Sequence, residues 1–252
     1  MSIVASDLVA YGSASMPDDD TATNIGGAID TTVRIVFTDI SPTGAIEMLS
    51  SAAGDTTQTV TVYGRNAGGT LINEAKTLNG TTVVSFSSTF ERILKIVISA
   101  AHTGTVTVRK ASAGGDLAAI ESGVLQIRRP FYNAAAEASG GAQRKYYEKI
   151  FIKNNHGTLA LTSATIAEQA DPSGLIAFAL ESTLSGSDTN GASNNRQVAP
   201  GGYTFTSATK NVANSQSHTA GAGQGIWLEL TLAAGAAAAK TTYTLRESGN
   251  TV

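Results

Sequence analysis

Residues 58–65, QTVTVYGR, place Val60 and Val62 on one side of an extended chain and Thr59 and Thr61 on the other. Side chains of a strand point alternately to opposite faces, so apolar/polar alternation of period two predicts a half-buried strand. The same reading extends in both directions. In TVRIVFTDI (32–40), Val33, Ile35 and Phe37 share one face, opposite Arg34 and Thr38. Ile46 and Met48 resume the pattern after Pro42 and Gly44, and TTVVSFSS (81–88), ERILKIVIS (91–99) and GTVTVRK (104–110) follow. Turn-rich pieces separate these runs, among them AGG (67–69) and LNGT (78–81). Asn79-Gly80 is a hairpin signal because both residues tolerate positive φ. Short strands at intervals of about 8–12 residues predict a β-sandwich, Ig-like or jelly-roll-like, over residues 31–112.

The flanks carry other signals. SASMPDDDTATNIGG (13–27) holds Pro17, three successive aspartates and Gly26-Gly27, and the first thirty residues read as a flexible arm. Asp18, Asp19 and Asp20 lack the alternate spacing and closing glutamate of a calcium loop, so a solvated turn is expected and no metal. ASAGGD (111–116) marks the end of the first sandwich, and residues 113–144 read as an extended connector. Within it one helical turn is expected over Ala134–Ala138, capped by Asn133 and stopped by Gly140.

A second sandwich is expected over 145–252. YYEKIFIKNN (146–155) is apolar on both faces, as in a strand covered by two layers. LIAFALES (175–182) and YTFTS (203–207) continue the strand pattern, and SGSDTNGASNNRQVAPGG (185–202) between them reads as a mobile loop. GIWLELTLAAGAAAAKTTYTLRESG (225–249) predicts a closing hairpin. Ile226, Leu228, Leu230 and Leu232 would face the core and Trp227 would face outward.

Composition supports this class. Of 252 residues, 42% are hydrophobic and only 15% charged, with 26 glycines, a palette closer to a turn-rich β protein than to a helical bundle. A formal charge of −3 gives no support to non-specific nucleic-acid binding, which needs a cationic surplus. There are no cysteines, which excludes disulfides and thiolate metal sites. No run of about eighteen apolar residues predicts a membrane helix, and the opening residues lack a basic, apolar leader.

Chemistry is sparse. His102, His156 and His218 sit in turn-like settings without metal-ligand spacing, and exposed loop histidines are expected. No Gly-x-Ser-x-Gly elbow occurs between a strand and a helix, and no glycine pair precedes the Lys-Ser/Thr of a phosphate loop. No catalytic residue and no cofactor is expected. The densest set of interface-prone side chains is Arg128, Arg129, Phe131 and Tyr132, with Trp227 as a further candidate. Two readings of the cluster stand side by side: a docking surface for another subunit, or a pin holding the connector between the chain's own domains; single-stranded nucleic acid, stacked on the aromatics, is a third choice behind both. An outward Trp227 reads first as part of a domain interface or a second layer of core; with Tyr203 it would alternatively form a stacking platform for a sugar, giving a carbohydrate-binding module or hydrolase as a reading of another class.

The opening SIVASDLVAYGSASMPDDDTATNIGGAID (2–30), the segment IESGVLQIRRPFYNAAAE (120–137) with YYEKIFIKNN, and the ending GIWLELTLAAGAAAAKTTYTLRESG resemble virion structural proteins of tailed bacteriophages. That resemblance implies a non-enzymatic, oligomeric capsid decoration or cement protein. It would be assembled in the host cytoplasm and carried on the capsid surface. Its partners would be the major capsid protein and copies of itself, with neither membrane nor nucleic acid. A neck or tail position is the alternative, and the N-terminal arm would act as a clasp that orders on assembly.

Overall fold

A computed structural model describes residues 2–16, 20–237 and 242–251, and its regular secondary structure is nearly all strand. Two compact units emerge: Thr31–Tyr132 forms one, and residues 1–30 with 133–252 form the other. The second unit is therefore discontinuous in sequence.

The Thr31–Tyr132 unit is layered. One sheet contains β4 (Thr59–Arg65), β5 (Leu71–Thr77), β7 (Arg92–Ile98) and β10 (Gln126–Arg128), in the order β10-β7-β4-β5. The end of β2 (Gly26–Arg34) pairs parallel with β10, Val33 opposite Gln126. The other sheet runs β6-β3-β8-β9, with β3 at Gly44–Ser50, β6 at Val84–Phe90, β8 at Val106–Lys110 and β9 at Asp116–Ile120. Their inner faces share one core: Val60, Val62, Ile93, Ile96 and Ile98 from the first, and Ile46, Met48, Phe90, Val106 and Val108 from the second. Each such side chain removed from water contributes about 1.5–3 kcal/mol, before the entropy of ordering is set against it.

Two expectations change here. The run 32–40 is a strand only to Arg34; beyond it Val36 is 51% exposed, and Ile40, not Ile35, is fully in the core. The expected connector starts too early at residue 113. Leu117, Ile120, Val124 and Ile127 complete the core, so β9 and β10 belong to this unit.

In the other unit the sheet order is β13-β15-β11-β1-β2. Here β1 is Leu8–Ser15, β11 Arg144–Asn154, β13 Ile176–Leu184 and β15 Gly223–Leu232. A three-stranded sheet runs β14-β12-β16, with β12 at Leu161–Ala170, β14 at Lys210–Asn211 and β16 at Thr244–Thr251. β11 is a central strand, its main-chain groups paired along both edges. Ten residue pairs join it to β15, and β1 pairs along its other edge from Leu8↔Asn154 to Gly12↔Ile150.

In place of the expected flexible arm stand β1 and the start of β2, strands of this unit, with Tyr11 and Ile25 buried; residues 1 and 17–19 of that arm lie outside the described residues. Nor do the last strands form a hairpin. β15 is buried on both faces through Leu228 and sits between β11 and β13, whereas β16 alternates exposed and half-buried residues and pairs with β12. Residues 238–241 of the alanine-rich connection lie outside the described residues. No helical turn forms over Ala134–Ala138. Asn133 instead accepts a hydrogen bond from Arg196 (2.6 Å), and the N–H and C=O of Ala135 both bond the Tyr146 hydroxyl.

Candidate functional site

The interface-prone residues part company in the structure. On the Thr31–Tyr132 unit, Lys95 stands opposite both Tyr63 and Arg128 across the sheet. Its ammonium lies 4.5 Å from the Tyr63 ring centre and 5.8 Å from that of Tyr132, and the Arg128 guanidinium lies 5.8 Å from the same Tyr132 ring. These cation–aromatic contacts hold Arg128 at 3% exposure, so it is not an outward anchor. Arg129 is tied to Asp39, to the Ile93 carbonyl (2.7 Å) and over the Phe37 ring (4.7 Å). Phe131 and Tyr132 are half-buried, with Phe131 in the left-handed region at φ 56°. The cluster pins its own segment.

Trp227 belongs to the other unit and does not face outward. It is fully buried with Ile25, Tyr147 and Ala179, its ring 6.2 Å from that of Tyr203. The two-ring platform for a sugar is therefore absent. Gly26 is required beside it: at φ 108°, a Cβ there would lie 2.7 Å from the indole and 2.7 Å from the Asp188 carbonyl.

Around Trp227 the structure gathers a concentrated set of buried polar groups. Lys149 on β11 donates to Glu181 Oε1 on β13 (2.5 Å), to Gly27 O (2.7 Å) and to Asp188 O (3.0 Å), and neither charged side chain has any exposure. Asp188 N donates to Glu181 Oε1 at 3.0 Å, and Tyr203 donates its hydroxyl to Asp188 Oδ2 at 2.5 Å. Burial pushes the lysine down from its ordinary value and the glutamic acid up, each against the attraction of the other. Burial and the Asp188 carboxylate raise the Tyr203 phenol. A cleft of about 700 Å³ lies against this centre, lined by Glu181, Ser182, Asp188, Tyr203, Lys210 and Asn214.

Other buried charges serve as staples. Arg196 is 1% exposed; it donates to Asp20 and Asn133, pairs with Glu148 at 3.7 Å and lies 4.8 Å from the centre of the Tyr146 ring. With Asn190, whose amide joins Ile25 N, Asn195 O and Val198 O, it orders the loop expected to be mobile. The aspartate of the expected solvated turn that falls among described residues, Asp20, accepts from Arg196 and Gln197; Asp18 and Asp19 lie outside them. Among the described residues no cluster of three or more His, Asp or Glu is placed to hold a metal.

Two histidines expected to be exposed are buried. His218 bonds Glu247 Oε1 through Nδ1 (2.6 Å) and the Ala222 carbonyl through Nε2 (3.0 Å). His102 faces the carbonyls of Gly104 (2.7 Å) and Val124 (2.8 Å). Ser50 and Asp55 lie near it, which assembles the residue types of a hydrolytic triad. Their wiring differs from one: Ser50 Oγ donates to Asp55 (2.6 Å), and Asp55 accepts Thr103 N and Gly104 N. A nucleophile needs its hydroxyl bonded to the imidazole.

Lys149, Glu181, Arg196 and Asp55 were not among the predicted site residues. One signal was present: a lysine and a glutamate inside strands whose both faces are apolar must be buried, and buried charges are paired. No protein-family profile, no curated protein and no solved structure matches this chain.

Proposed function

We propose that this chain is a non-enzymatic structural component of a tailed-bacteriophage virion, decorating or cementing the capsid shell through contacts with the major capsid protein and with copies of itself. The observation that carries this reading is the use made of buried polar and titratable side chains. Lys149–Glu181, Arg196–Asp20, His218–Glu247 and Arg109–Glu47 each join two elements of one unit. Such staples suit a part that must keep its shape while its surface touches neighbours. A shell repeats each modest contact by symmetry, and avidity follows without any single tight site.

Copy number in purified particles tests this. Copies on the order of hundreds per particle place the chain on the head, whereas roughly six or twelve place it at the neck or tail. Absence from particles, with turnover of a substrate by the isolated chain, overturns the proposal.

A further inference from the structure

Lys149 and Glu181 stand on strands that are not neighbours. β15 runs between β11 and β13; Lys149 is in register with Trp227, and Leu180, the residue before Glu181, is in register with Ile226. The two side chains meet over Gly225 of the central strand, where a Cβ would lie 2.6 Å from Glu181 Cδ. Gly186 closes the other side, its Cβ position 2.8 Å from Oε2. A glycine in the middle of a buried strand is otherwise destabilising, and here it opens the passage through which lysine and carboxyl touch.

Phe151 and Trp227 hold their ring centres 4.8 and 5.8 Å from Nζ. Two of the three Nζ contacts are main-chain carbonyls, and the third is the carboxyl. Glu181 Oε2 is buried with no hydrogen-bond partner among the described residues. That oxygen lacks a partner in either protonation state, the cost is greater for an ionised carboxylate, and two desolvated ions are expensive to hold even when paired. Burial drives the lysine toward the neutral amine and the glutamate toward the neutral acid. In that form the two N–H groups serve Gly27 O and Asp188 O, and the nitrogen lone pair is left facing the carboxyl. A desolvated lysine is the nucleophilic form, and fixed contact makes its attack unimolecular.

We propose that Lys149 and Glu181 condense into an intramolecular isopeptide bond that cross-links β11 to β13 across β15. The amine lone pair attacks Cδ of the protonated carboxyl, and one N–H proton passes to the departing hydroxyl. One water is released as the Cδ–O bond breaks, and a neutral amide remains between Nζ and Cδ. No oxidant, reductant or second reactant is consumed. The remaining N–H keeps one main-chain acceptor.

The intact mass of the purified full chain, taken under denaturing conditions, decides the matter. The expected mass is lower than that of the sequence by one water molecule, with fragment ions joining Lys149 to Glu181. Lys149→Arg and Glu181→Ala should each restore the full mass. Because either variant can fail to fold, the wild-type chain is also made and held in denaturant, where the full mass is expected, then refolded and weighed again as water is lost. A folded wild-type chain of full mass overturns the proposal, as does a lost water that maps elsewhere, such as a succinimide at Asp116 or Asp188.

Discussion

Arg196 Nε donates to Asp20 Oδ1 at 2.5 Å, so the loop between β13 and β14 is fastened to the turn between β1 and β2. The guanidinium is almost wholly buried and also meets Asn133, Glu148 and the Tyr146 ring, while Asp20 remains one-third exposed. Removing the guanidinium takes a buried cation away from Glu148, which is 2% exposed, and the direct partner away from Asp20. Arg196→Ala should therefore destabilise the protein by about 3–5 kcal/mol in urea denaturation, and Asp20→Ala by less. Arg196→Lys should not restore stability, because a point charge cannot reproduce the planar fork over Tyr146.

Gly225→Ala tests the passage between Lys149 and Glu181. The new methyl would lie inside the Glu181 carboxyl, which is hemmed in by Gly186 and has nowhere to retreat. A loss of about 2–4 kcal/mol is expected in chemical denaturation. Gly157→Ala, where nothing stands within 4 Å, is the control and should stay within about 0.5 kcal/mol.

Acid should weaken the Thr31–Tyr132 unit at two carboxylates. The Ser50 hydroxyl and the N–H groups of Thr103 and Gly104 hold Asp55 down to about 2, against an ordinary value of 3.8. Glu74, pushed up by burial but bound more strongly by the N–H groups of Ser87 and Ser88, is also held at about 2, against 4.5. Both folded values lie below the unfolded ones, so the unfolded chain takes up protons first. The stabilisation is complete above about pH 5 and disappears as pH falls toward 2. Asp55→Asn should lower stability at neutral pH by about 1–3 kcal/mol and flatten the acid limb of a stability–pH curve. An unchanged limb in that variant would refute the assignment.

Much of the Thr31–Tyr132 unit was legible because its strands bury one face. Val60 and Val62 at full burial, with Thr59 and Thr61 half-buried, is what period-two alternation means. The short apolar runs of β9 and β10, interrupted by Ser122 and Gly123, carried too little pattern to be told from a connector. In the other unit the strongest strands are buried on both faces, and alternation cannot then say which strand lies beside which. GIWLELTL and TYTLRES look like hairpin partners by proximity, yet two-sided burial assigns β15 to a central place and a half-exposed pattern assigns β16 to an edge. The buried ion pairs lie beyond any local pattern, since Lys149 with Glu181 and Arg196 with Asp20 are joined only by the fold.

The Thr31–Tyr132 unit should fold when produced alone. Every member of its core, from Ile40 to Ile127, lies inside those limits, and so do the staples Arg129–Asp39, Arg109–Glu47 and Arg34–Glu121. A fragment of about a hundred residues with one closed core should show β-type circular dichroism and a single cooperative urea transition, with a stability of about 5–10 kcal/mol. Phe90→Ala, which deletes a ring at zero exposure between the two sheets, should remove about 3–5 kcal/mol of it. A fragment without a cooperative transition would show that the core requires the rest of the chain, and the division at Asp30/Thr31 and Tyr132/Asn133 would fall.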